Sequence, residues 1–221
     1  MKDKYLLGVT GLPGCGKSYV CRTLVEIGRE RGINILYLRF DDERTKLMNN
    51  SPEYTQTKLE LEDIFGPKII NNDGSISEKI LYPIIYNNQV NMDIYRLITS
   101  KSMAIQINKK IQKEGIHLIE WGLFVEDNLL QMANDYLVIN CSPSVQTSRL
   151  KKRLNTKYNS LKQIKDRINL QLTNSEKIAR IQEYQKNISK GKVYFFNTTD
   201  KPDKNQYANL LEQIIAGIGY E

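Results

Sequence analysis

Histidine is nearly absent from this sequence: His117 stands alone, inside the apolar run "GIHLIEW". Cysteine is scarce as well, and Cys15, Cys21 and Cys141 show no metal-like or paired spacing. One histidine without a cysteine cluster argues against a zinc site. An odd, scattered set of thiols points to reduced cysteines and a cytoplasmic protein. His117 is expected to be a packed strand residue. No apolar run approaches the length of a membrane span, so no membrane partner is expected. The few apolar residues of "MKDKYLLGVTG" are too short for a signal peptide and suit a first strand. Repeats, low-complexity linkers and zinc-finger spacing are missing, as is the aromatic-and-basic stripe of single-strand binders. Nucleic acid is therefore not an expected partner.

What the sequence does have is positive charge and strong patterning. The net charge is +7, which attracts anions without naming one. At 221 residues the chain suits one domain with an insertion. "KYLLGVTG", "INILYLRF", "GIHLIEWGLF", "NDYLVINC" and "KVYFFN" read as five buried strands. "KSYVCRTLVEIGRERG" reads as a helix with Val20, Leu24 and Ile27 on one face, and residues 203–217 read as a last helix. The alternation predicts an α/β fold: a five-stranded parallel sheet with helices on both faces. Residues 1–42, 113–142 and 191–221 form its core, residues 43–112 a helical acceptor-binding insertion, and residues 143–190 a charged helical lid. Right-handed crossovers bring Gly11, Asp42, Glu120, Cys141 and Asn197 to one edge of the sheet, where such folds bind ligands.

Gly11 to Ser18 reads G-L-P-G-C-G-K-S, which matches G-x4-G-K-[ST] between a strand and a helix. Glycines let the backbone curl so that N–H groups point inward, and the helix adds its positive end. Gly11, Leu12, Pro13, Gly14, Cys15, Gly16, Lys17, Ser18 and the following Tyr19 are the expected nucleotide cradle. Lys17 would reach the β- and γ-phosphates of ATP, and Ser18 would hold Mg²⁺. Glu120 either orients a water on that Mg²⁺ or is a strand-end carboxylate with no metal role. Asp42, with Asp41 in reserve, either accepts a proton from an acceptor hydroxyl or caps the helix of "ERTKLM". Arg149 and Arg153, four apart on one helical face, either clamp phosphates under a closing lid or form a solvated basic face. Positive neighbours could lower the Cys15 pKa and make it oxidisable, unless it is only a small residue that fits.

The stretch from "GVTGLPGCGKSYV" to "DDERTKLM" resembles the opening of the dephospho-coenzyme A kinase family. "GLFVED" resembles that family's P-L-L-F-E segment, and Gln146, Arg149, Leu150 and Arg153 fill its Q-x-x-R-L-x-x-R signature. Arg167, Ile168, Gln171 and Lys177 fill a further R-I-x-x-Q-x5-K segment. The resemblance implies an ATP-dependent kinase acting on the ribose 3′-hydroxyl of dephospho-coenzyme A, with a P-loop kinase fold. It implies Asp42 as the base, Arg149 and Arg153 as lid residues near the phosphates, and Asn197 near the adenine. The family's D-x-D survives only in its second half, because Phe40 fills its first position. Gly122 stands for the family proline and Glu78 for an arginine, and the expected His-Pro near Ser100 and Lys101 is missing. A kinase for another hydroxyl acceptor, or a nucleotide-binding regulator without turnover, stays open at this point.

Overall fold

The computed structural model describes residues 4–111, 114–152, 168–169 and 171–218. The chain forms two compact units, one of residues 1–38 and 112–221, the other Arg39–Ile111. The second unit starts four residues before the expected insertion.

Among the described residues, five strands make one sheet: β1 (Lys4–Thr10), β2 (Ile35–Arg39), β3 (Gly115–Glu120), β4 (Asp135–Asn140) and β5 (Val193–Asn197). Their order is β2-β3-β1-β4-β5. β1 pairs in parallel with β3 and β4, and β4 with β5. β3 is buried along its whole length, as a strand covered on both faces must be. His117 in its middle is fully buried, with Nδ1 3.1 Å from the Gly115 carbonyl oxygen. Helices α1 (Lys17–Glu30) and α8 (Lys204–Gly217) cover one face. Val20, Leu24 and Ile27 meet Leu7, Val9, Leu137, Ile139, Leu210 and Ile214 there. Alternation turns Tyr136 the other way, beside Gly8, and α7 (Asn174–Asn187) packs against β4 and β5. A further helix of the first unit, α6 (Pro143–Lys151), starts behind a Ser142 cap.

The strand expected over residues 115–124 stops at Glu120. Trp121 then enters a turn that its indole closes, Nε1 donating to Asp127 Oδ2 at 2.7 Å.

The second unit holds α2 (Phe40–Met48), α3 (Thr55–Phe65), α4 (Glu78–Tyr86) and α5 (Gln89–Lys110). α2 begins earlier than the sequence suggested. Phe40 extends the apolar run of β2 in the sequence, yet it is the first helical residue and fully buried. Arg39, in extended conformation, takes the cap position, so Asp42 is not the helix cap. Asp41, Asp42 and Glu43 fall in the first turn instead, where carboxylates complement the positive helix end. Among the described residues, no helix is long and apolar enough to cross a membrane.

Candidate active site

β1 hands the chain to Gly11, whose φ of 135° is glycine territory. A Cβ there would lie 2.2 Å from the Ile139 carbonyl oxygen. The loop then closes on itself, Cys15 N donating to Leu12 O at 3.3 Å. Gly16, at φ 89°, caps α1 with no side-chain oxygen of its own, and the first turn carries no acid. The helix start therefore presents its amides and its positive end to an anion.

Each carbonyl of the loop is already engaged. Pro13 O accepts from Gln146 Nε2 at 2.8 Å. Gly14 O accepts from Arg149 Nη1 at 3.4 Å, and Cys15 O from Thr198 Oγ1 at 2.7 Å. Gly16 O takes the amides of Tyr19 and Val20 inside the helix, both at 3.0 Å. Lys17 Nζ donates to Gly11 O at 2.7 Å and to Leu12 O at 3.1 Å, so its ammonium lies over the loop it belongs to. Leu12 N, in turn, donates to Asn174 Oδ1 at 3.2 Å, at the start of α7. Gln146, Asn174 and Thr198 were not among the expected site residues. No spacing rule marks them, although Gln146 fills a family signature.

Ser18 and Glu120 come together as a pair. Ser18 Oγ donates to Glu120 Oε1 at 2.8 Å, and the Tyr37 hydroxyl donates to the other carboxylate oxygen. Glu120 is 7% exposed, and burial together with the neighbouring Cys21 and Glu120 raises the Tyr37 pKa. A hydroxyl and a carboxylate side by side are hard oxygen donors of the type Mg²⁺ takes. The donor set fits that ion.

Behind Glu120, Gly122 O accepts from Lys177 Nζ at 2.6 Å and from Thr10 Oγ1 at 3.3 Å. A Cβ at Gly122 would sit 3.5 Å from Gly11 O and 3.7 Å from Lys17 Nζ, which is ordinary contact distance.

The other expected residues are placed as follows. Arg149 donates to Thr198 Oγ1 at 2.9 Å and Thr198 O at 2.7 Å, tied to the loop after β5. Arg153 lies outside the described residues, as does Arg167. Asn197 ends β5, is exposed, and turns its Oδ1 back onto Thr199 N at 2.8 Å. Tyr19 is half exposed and meets the Tyr207 ring edge-on at 6.1 Å. In the second unit, Asp42 Oδ1 pairs with Arg39 Nη1 at 3.1 Å, and Asp41 Oδ1 lies 3.8 Å from Arg44 Nε.

Of the two readings of Cys15, the structure supports the small residue that fits. It is buried, its sulfur 3.5 Å from that of Cys141, and its pKa is pushed up to about 12. Burial is the main cause and Cys141 adds to it, while the Lys17 charge acts the other way and loses. The thiol fills space in the floor of the loop and is not activated.

A family model described as dephospho-CoA kinase matches residues 5–191. A dephospho-CoA kinase of Dehalococcoides mccartyi is 28% identical over 178 residues, covering 78% of this chain and 83% of that one. One from Mannheimia succiniciproducens is 23% identical over 163 residues, covering 72% of each. Among solved structures, a Thermus thermophilus protein superimposes with a TM-score of 0.70 at 16% identity, over 98% of this chain and 99% of that one. Dephospho-CoA kinase from Campylobacter jejuni superimposes with a TM-score of 0.50 at 17% identity, over 99% and 98%. At such identities the structural likeness speaks for the fold.

Proposed function

The chain belongs to the dephospho-CoA kinase family, and on that premise we propose how its residues divide the work of phosphoryl transfer. The reaction is ATP-dependent transfer to an alcohol, the ribose 3′-hydroxyl of dephospho-coenzyme A. The observation that carries the assignment of roles is the loop from Gly11 to Ser18, with its carbonyls engaged and the Ser18–Glu120 pair at its exit.

The amides of that loop and the start of α1 bind the phosphate chain of ATP. Lys17 exchanges its contacts with Gly11 O and Leu12 O for the β- and γ-phosphates. Ser18 would hold Mg²⁺, with Glu120 placed to receive a coordinated water. When bound, that ion neutralises charge on the phosphate oxygens. Asp42 orients the acceptor hydroxyl and takes its proton as the new P–O bond forms. Arg149 and Arg153 supply positive charge to the transferring group, and Asn197, near the adenine, and Tyr19 would contact ATP. Transfer in a small-molecule kinase of this type relies on positioning and electrostatics more than on covalent chemistry. The acceptor is a small molecule, not a nucleic acid. The three cysteines are all buried thiols, which supports a cytoplasmic location.

The test is direct. Purified protein with ATP, Mg²⁺ and dephospho-coenzyme A should yield a product heavier by one phosphoryl group, with mass spectrometric fragments placing it on the 3′-oxygen. Other nucleosides and nucleotides in a parallel panel should be poor acceptors. Asp42→Asn should lower turnover by roughly 10²–10⁴-fold while ATP affinity stays near that of the wild type. Normal turnover in that variant removes Asp42 from the mechanism.

A further inference from the structure

The phosphate loop is braced by side chains that belong neither to it nor to α1. A trans peptide is planar, with its C=O and N–H on opposite sides. Holding a carbonyl therefore fixes the direction of the next residue's amide. Thr198 Oγ1, donating to Cys15 O at 2.7 Å, fixes the N–H of Gly16. Gln146 Nε2, donating to Pro13 O at 2.8 Å, fixes the N–H of Gly14. The amide between them, Cys15 N, points across the turn at Leu12 O, which marks the inner side of the loop. Both residues whose amides are fixed are glycines at positive φ, with φ 85° for Gly14 and 89° for Gly16. Unbraced, such glycines have more backbone freedom than any other residue.

Thr198 is the stronger brace. It is 3% exposed, its hydroxyl accepts from Arg149 Nη1 at 2.9 Å, and its backbone amide donates to Asn140 O at 2.9 Å. One residue thus links the ends of β4 and β5, the basic helix α6 and the phosphate loop. We infer that Thr198 and Gln146 are positioning residues for nucleotide binding, setting the loop's amides toward the phosphates by holding the carbonyls on its far side.

The inference rests on the loop being the ATP site, and the experiment separates the two ideas. ATP affinity is measured by calorimetry on wild type, Thr198→Val, Thr198→Ser and Gln146→Met, alongside KM for ATP and kcat. Valine keeps the shape of threonine and removes the hydroxyl, leaving Cys15 O and Arg149 short of a partner. Thr198→Val should weaken ATP binding about tenfold, and Gln146→Met about threefold, the scale of one lost hydrogen bond. The loss should appear in KM for ATP more than in kcat, and Thr198→Ser should restore most of it. A lower melting temperature with unchanged ATP affinity in Thr198→Val overturns the inference. If that variant does not fold, Gln146→Met at its half-buried position decides, and wild-type affinity there overturns it equally. Wild-type protein that binds no ATP would overturn the kinase reading itself.

Discussion

Lys177 Nζ lies 2.5 Å from Glu126 Oε1, with both side chains buried, in the sheet-bearing unit. Burial pulls the lysine pKa down and Glu126 pulls it back up, burial being the larger effect. The same carboxylate oxygen accepts from Leu172 N at 3.0 Å, so the pair ties the turn after β3 to the segment that enters α7. Removing one partner of a buried pair strands the other charge. Lys177→Met should therefore cost about 3–5 kcal/mol in urea unfolding. Adding Glu126→Gln should recover part of that loss. Strictly additive losses would show that the two do not depend on each other.

Two glycines on either side of Lys17 should behave differently. Gly11→Ala places a methyl 2.2 Å from Ile139 O at a φ of 135°. Strain and clash together should cost roughly 2–4 kcal/mol and weaken ATP binding. Gly122→Ala, with 3.5 Å to its nearest neighbour, should change stability by less than about 1 kcal/mol. Melting curves of the two variants check both statements. Equal losses would mean that Gly11 is not held where it is described.

His117 makes a pH prediction with a definite sign. Burial lowers its pKa in the folded chain. Below about pH 6.5 the unfolded chain binds a proton that the folded chain does not, so stability should fall as pH drops. His117 is the only histidine in the sequence, which makes the region between about pH 6.5 and 5 readable. His117→Gln should flatten the slope of unfolding free energy against pH there. An identical slope in wild type and variant contradicts the assignment.

Cys15 should be inert. With its pKa pushed up to about 12 and 1% exposure, it carries almost no thiolate at pH 8. Iodoacetamide should label it only after unfolding, and peptide mapping reads this directly. Rapid labelling in the folded protein would show that the loop opens.

The strands and the phosphate loop were legible because each leaves a local pattern. Continuous apolar runs mark β1, β3 and β4, and G-x4-G-K-S fixes the loop's position. The start of α2 was not legible, because Phe40 continues an apolar run whether it is the last residue of a strand or the buried first residue of a helix. Nor was the state of Cys15. The sequence displays its charged neighbour Lys17 but hides its burial against Cys141, and burial decides. Thr198 is silent in the sequence for a related reason. Thr198, the first of two threonines after β5, carries no spacing signature, and its role exists only once β5 has brought it to Cys15.

Because side chains from α6 and from the end of β5 pin the phosphate-gripping turn, most of the ordering that an arriving nucleotide would otherwise impose is complete when the chain folds. Substitutions far from the pocket that loosen α6 against Thr198 should then look, in a binding assay, like damage to the pocket itself.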